Sequence, residues 1–162
     1  MGMIYTTFDS AVGTLTLAAD RDAVLHRLAF GTLAVPDDWQ QEDRAFDEVR
    51  AQLNQYFAGE RQEFDLPFEL EGTEWQLRVW GELQRIPYGE TRSYGQVAEL
   101  ACERTGWQAA RAVGSANHCN PIPIIVPCHR VIGADGKLVG FGGGLETKRS
   151  LLDLEAGRLA LI

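Results

Sequence analysis

The chain has 162 residues, 45% of them apolar and 23% charged, and a net charge of −8. That length suits one sizeable core or two small ones, and the composition is that of a globular protein, not a disordered one. The longest apolar run, Pro121 to Val126, falls far short of the ~20 residues that a membrane-spanning helix needs.

The charge is unevenly placed. Residues 1–72 carry 5 Lys+Arg against 14 Asp+Glu, whereas residues 73–162 carry 10 against 9. A surface for a polyanion therefore has to be a local patch in the second half. The amino terminus lacks the basic and apolar regions of a secretory signal. Met1, Gly2 and Thr6 fit a myristoylation pattern, but Ile4 and Tyr5 already read as strand, so the match is taken as chance. Three cysteines, at 102, 119 and 128, show no framework spacing. Free thiols and a cytoplasmic location are expected.

In chain order, Met3 to Phe8, Thr14 to Ala19 and Ala23 to Phe30 alternate in hydropathy between turn residues, which predicts an antiparallel meander. From Asp37 to Ala58 the apolar residues Phe46, Val49, Leu53, Tyr56 and Phe57 recur at helical spacing, and Gly59 ends the run. The helix is expected to cover the small sheet. The acidic stretch 63–72 with Pro67 reads as a connecting arm. The predicted domains are 1–72 and 73–162.

Thr73 with Gln76 forms a capping-box pattern, opening a helix with Trp75, Leu77, Val79 and Trp80 on its apolar face and a stop at Pro87. Ser93 with Gln96 repeats the pattern ahead of Val97, Leu100 and Ala101. Gly106 then breaks the chain before a helix over about 108–117, which makes residues 93–117 a helix-turn-helix candidate. Spacing alone is weak support for DNA binding, because paired short helices occur in many folds. A Gly-Asp-Gly turn region, a Gly-rich segment from Gly140 to Gly144 and a last helix over about 147–155 complete the chain.

The sharpest local feature is Pro127-Cys128-His129-Arg130. Cysteine attacks as thiolate, and a nearby imidazole or positive charge favours that form. Neighbours in extended chain point to opposite faces, so Cys128 and His129 need a turn or a bridging water to cooperate. An activating histidine is held through its far nitrogen by a carboxylate, and Glu155 on the last helix is the candidate. Taken alone, Cys128 and His129 read more readily as a small buried hydrophobe and a satisfied core residue, the commoner fate of both types. His118-Cys119 and Cys128-His129 lack metal-ligand spacing, so no metal and no cofactor are expected.

Residues 73–155 resemble the catalytic domain of O6-alkylguanine-DNA alkyltransferases. The resemblance is carried by Ile-Pro-Tyr-Gly-Glu (86–90), Ser93-Tyr94, Ala-Ala-Arg-Ala-Val-Gly (109–114), Asn120-Pro121, Pro-Cys-His-Arg (127–130) and Gly143-Gly144. The first half resembles the family's variable amino-terminal domain more loosely. The resemblance implies an α+β fold, in which a small β-rich, ribonuclease-H-like domain precedes a mainly helical domain with a helix-turn-helix.

It also implies single-turnover transfer of an alkyl group from O6 of guanine, in double-stranded DNA, to Cys128, with O4-alkylthymine left open as a substrate and no obligate protein partner. His129 would take the thiol proton through a water, Glu155 would orient His129, and Tyr94 would meet the base at N3. Arg111 would fill the stack vacated by a flipped nucleotide. Ala110, Ser93, Tyr94 and Arg130 would join it at the DNA, with small neighbours permitting close approach. Val131, Phe141, Gly142 and Gly143 would wall the base pocket, and Asn120 would pin a turn. Arg104, Lys148 and Arg149 read as ordinary solvated residues.

Three departures from the family pattern stand out: Trp107 where proline is common, Phe141 where tyrosine is common, and Gly142, which lacks a hydroxyl. A smaller wall would admit bulkier alkyl groups. Two rival readings are a non-catalytic lesion binder, disfavoured by Cys128, and a thiol hydrolase, disfavoured by the helix pair with Arg111.

Overall fold

The computed structural model describes residues 2–102, 106–158 and 160–162. The chain forms two compact units, residues 1–70 with 157–162, and residues 71–156. The tail, assigned to the second half from sequence, belongs with the first unit by its contacts: Leu161 N–H donates to Phe57 O at 2.8 Å.

In the first unit β1 (Ile4–Ser10), β2 (Gly13–Ala19) and β3 (Leu25–Phe30) form the expected meander. β1 and β2 pair from Ile4↔Ala19 to Ser10↔Gly13, and β2 and β3 from Leu15↔Phe30 to Ala19↔Leu25, with an irregularity at Ala18/Ala19. Ile4, Thr6 and Phe8 alternate inward on β1, whereas the central β2 is buried continuously from Leu15 to Ala19. Asp20 shapes the β2–β3 turn, its Oδ1 accepting from Asp22 N at 2.9 Å and Val24 N at 3.1 Å.

The helix expected over 37–58 is shorter. Gln40–Gln41 instead forms β4, parallel to β1 at the sheet edge, and a 3-10 turn over Asp43–Phe46 leads into α1 (Asp47–Phe57). Polar competition explains the difference. Asp43 Oδ1 accepts from the buried Thr6 hydroxyl at 2.6 Å, which ties this stretch to the sheet before the apolar periodicity of Phe46, Val49, Leu53, Tyr56 and Phe57 takes over.

The arm is an added edge, not a free linker. Leu25 N–H donates to Pro67 O at 2.9 Å and Glu69 N–H to Leu25 O at 3.0 Å, and the amide of Gln52 exchanges two bonds with the backbone of Asp65, at 3.0 and 2.9 Å.

In the second unit both capping boxes form. Thr73 Oγ1 accepts from Gln76 N at 3.1 Å and Gln76 Oε1 from Thr73 N at 2.9 Å, opening α2 (Glu74–Leu83). Just before it, a Cβ on Gly72 would stand 2.7 Å from the Trp80 ring, so only glycine fits there. Ser93 and Gln96 do the same for α3 (Tyr94–Cys102), at 2.8 and 3.1 Å. Leu77 and Leu100, placed on inner faces from sequence, are 42% and 60% exposed. Val79, Trp80 and Leu83 fill the core from α2, and Val97 and Ala98 fill it from α3.

After Gly106, α4 (Trp107–His118) packs on α2 and α3. Its inner face is pinned to α2, because Trp75 Nε1 donates to Ala112 O at 3.0 Å and Trp80 Nε1 to Ala116 O at 2.8 Å. The turn of the helix-turn-helix candidate, including Arg104, lies outside the described residues. A 3-10 turn over Cys128–Arg130 runs into β6 (Val131–Ile132), which pairs in parallel with β5 (Arg92–Ser93). α5 (Leu145–Glu155) closes the unit. No helix among the described residues is long and apolar enough to cross a membrane.

Candidate active site

Pro127 sets the direction of the nucleophile. Its φ of −80° and ψ of 68° make an inverse γ-turn closed by Cys128 N–H to Val126 O at 2.8 Å, and Arg130 N–H to Pro127 O at 3.1 Å begins the 3-10 turn. The extended geometry that would set Cys128 and His129 on opposite faces is thereby avoided. Asn120 holds the preceding loop from within, donating to Val126 O at 2.8 Å and accepting from Ile122 N at 3.0 Å. Asn117 reaches Cys128 O at 3.2 Å.

Around that turn lies a buried polar network. His129 Nε2 meets Glu155 Oε2 at 2.6 Å, and Arg130 binds both carboxylate oxygens through Nε at 2.7 Å and an Nη at 3.1 Å. The other Nη of Arg130 donates to Ile86 O at 2.7 Å. Burial pushes the Glu155 carboxyl up, but the hydrogen bonds and charges of His129 and Arg130 outweigh it and hold the pKa at about 2.

Burial pushes the His129 pKa below its usual value despite the pull of Glu155, so the ring is neutral at pH 7. A neutral ring donating from Nε2 to a carboxylate keeps Nδ1 as an acceptor, and Nδ1 is buried with no protein partner among the described residues.

Cys128 is 4% exposed. Burial raises its pKa to about 11, opposed by the Asn120 amide and the Lys148 charge, so the resting group is a thiol. Tyr94 opens α3 directly after the β5–β6 pairing, which lays it alongside the strand that follows Cys128. Its hydroxyl donates to Val139 O at 2.9 Å, and burial, then the proximity of Cys128, raises its pKa. Its ring passes α4 where a Cβ on Gly114 would stand 3.9 Å away. One 3-10 turn thus carries a thiol next to a neutral imidazole that has a carboxylate behind it, and a phenol lies near the thiol, a set of groups suited to proton removal and nucleophilic displacement.

Two family models match the chain: the DNA binding domain of 6-O-methylguanine DNA methyltransferase over residues 74–157, and its ribonuclease-like domain over residues 3–70. The chain belongs to the 6-O-methylguanine DNA methyltransferase family. Similar members include a methylated-DNA--protein-cysteine methyltransferase of Mycolicibacterium paratuberculosis, 54% identical over 93% of this chain and 91% of that protein. One of Methanosarcina acetivorans is 47% identical over 94% and 98%. Among solved structures, Mycobacterium tuberculosis OGT in complex with DNA superposes with a TM-score of 0.88 at 53% identity, covering 96% of this chain and 94% of that one.

Within this methyltransferase-family fold the remaining sequence candidates fall into place unevenly. Val131 is buried immediately after the turn, and Phe141 and Gly143 are half-buried in a tight loop closed by Gly144 N–H to Phe141 O at 3.0 Å. A Cβ on Gly142 would touch nothing within 4 Å, so the protein's own packing does not demand glycine there. Ala110 is half-buried and Arg111 exposed on α4, and the Ser93 hydroxyl is engaged in its capping box.

Arg130 does not fit the DNA-contact role given to it: it is 7% exposed and its guanidinium is bound to Glu155 and Ile86 O. The largest miss is Lys148, read as solvated from sequence and fully buried in the fold. Its Nζ donates to Val139 O at 3.0 Å, the same carbonyl that Tyr94 uses, and lies 5.9 Å above the Tyr94 ring. Its i, i+3 and i+7 relation to Leu151 and Glu155, both buried on α5, is the signal that places it inward.

One group of side chains among the described residues has the spacing to hold a cation: Asp20, His26 and Glu69 of the first unit, with ligand atoms within 4.8 Å of one another. His26 Nε2 meets Asp20 Oδ2 at 3.1 Å and lies 3.8 Å from Glu69 Oε2, which sets the three side chains between the β2–β3 turn and the arm.

Proposed function

We propose that the protein repairs alkylated DNA by direct reversal, moving the alkyl group from O6 of guanine onto Cys128. The observation that carries this reading is the buried turn that gathers Cys128, His129 and Glu155, with Tyr94 brought beside it by the β5–β6 pairing. A family relative solved with DNA supports the partner.

His129 Nδ1 takes the thiol proton through an intervening water while Glu155 stabilises the charged ring. The sulfur then forms a bond to the alkyl carbon as the carbon–O6 bond breaks, and the electron pair leaves with the purine. Tyr94 turns its hydroxyl from Val139 O to N3 of the base and offsets that charge. Lys148 stays on Val139 O, so this carbonyl keeps a donor throughout. The proton held by His129 restores the neutral base. The product is a thioether, and no group in the site attacks it, so each molecule acts once.

A base stacked in a duplex cannot bring O6 to a thiol that is 4% exposed, so the nucleotide must swing out of the helix. Arg111, on the outward side of a helix whose inner side is pinned by Trp75 and Trp80, enters the gap, with Ala110 and Ser93 beside the backbone. The pocket formed by Val131, Phe141, Gly142 and Gly143 receives the base; with no side chain at Gly142 it accepts alkyl groups larger than methyl.

The test is incubation with a duplex containing O6-methylguanine, followed by mass analysis of the peptide bearing Cys128. One methyl per protein on Cys128, and none in a Cys128→Ser protein, is expected. An unmodified peptide with the lesion intact would overturn the proposal, as would repeated turnover with the alkyl group released as an alcohol.

A further inference from the structure

Trp107 is the most exposed of the large apolar side chains among the described residues, at 69%, although it opens a helix whose inner face is packed. A large aromatic left in water forgoes the burial that would stabilise it. It has a partner one turn on: the Arg111 guanidinium carbon lies 4.8 Å from its ring centroid, inside the ~6 Å range for cation–π attraction. The helix imposes this arrangement. Residues i and i+4 share a face, and helical side chains lean towards the amino terminus, so Arg111 tilts back over Trp107.

The two sit on a rigid platform, since the opposite side of α4 buries Val113, Ala116 and Asn117 and is bonded twice to α2. An arginine that must enter a base stack loses much of its rotamer freedom on doing so. A ring that already holds the guanidinium reduces that loss.

We propose that Trp107 is a positioning residue for Arg111, holding its guanidinium stacked on the outer face of α4 so that it enters duplex DNA pre-ordered as the damaged nucleotide leaves. This rests on the alkyl-transfer reading above. Trp107 stands at the exposed start of α4 against Arg111, whereas Cys128 is buried, so its influence belongs to reaction on duplex DNA and not to chemistry on a free purine.

The experiment measures single-turnover transfer to Cys128 from an O6-methylguanine duplex and from free O6-benzylguanine base, and compares the ratio of the two rates. In Trp107→Ala the duplex-to-base ratio falls about two- to fivefold, the worth of an exposed cation–π pair. Trp107→Phe keeps most of it, and in an Arg111→Ala background the Trp107→Ala change lowers the ratio no further. A ratio that is unchanged or higher in Trp107→Ala, or an equal fall with Arg111 absent, overturns the inference while wild-type transfer leaves the function standing. No transfer by the wild-type protein overturns both.

Discussion

Lys148 and Glu155 lie on one face of α5 and carry opposite charges into the same buried region, yet their removal should act differently. Glu155 is satisfied by His129 and Arg130. Glu155→Gln leaves the Arg130 guanidinium buried against a neutral amide, and breaking such a pair costs about 3–5 kcal/mol. Denaturant melts should show a loss of that order, and transfer should slow because the His129 ring loses its counter-charge.

The Lys148 ammonium has burial against it and donates a hydrogen bond to Val139 O. Lys148→Met removes a charge that is costly to bury, so stability is expected to hold or rise. Transfer should nevertheless fall, by roughly tenfold, or about 1.4 kcal/mol, because the cation faces both the Cys128 sulfur and the Tyr94 ring. Unchanged transfer in a stable Lys148→Met protein would show that the lysine has no part in the chemistry.

At the scale of elements, the loop before the nucleophile depends on one side chain. Asn120 spans it with two bonds, and within it Ile124 adopts a φ of 74°, a conformation that a β-branched residue rarely takes. Asn120→Ala releases both bonds and should destabilise the protein by about 1–3 kcal/mol, with transfer lost in step as Cys128 drifts from His129. Equal stability in urea titration would remove Asn120 from that role.

Such loops also mark where the sequence stops being informative. Capping boxes at Thr73 and Ser93 and the alternation in β1 to β3 were legible because their signals are local. The 3-10 turn at Cys128, the edge pairing of β4 and the inward turn of Lys148 arise from contacts between distant segments, which no short window contains. Arg130 shows the same limit, since nothing beside it in the chain announces Glu155, 25 residues away.

For the whole molecule, two opposing effects govern acid stability. The chain carries a net charge of −8, so lowering the pH relieves repulsion among its many surface acids and tends to stabilise it. Exposed charges contribute little individually, whereas the buried network acts strongly in the other direction. His129 is held below its usual 6.5, so from about pH 6.5 downward the unfolded chain takes up a proton that the folded one refuses, and stability is lost.

Glu155 adds a second loss between its ordinary value of 4.5 and its folded value of about 2, because the unfolded carboxyl protonates first. Melting temperature should therefore be flat between about pH 7 and 8 and fall in two stages on acidification, with the lower stage absent in Glu155→Gln. Above about pH 9 it should fall again, because the unfolded Cys128 thiol ionises while the folded one, held at about 11, does not. A melting temperature that rises steadily as the pH drops from 7 to 4 would mean that surface repulsion outweighs the buried network, and that the ring of His129 is not held neutral.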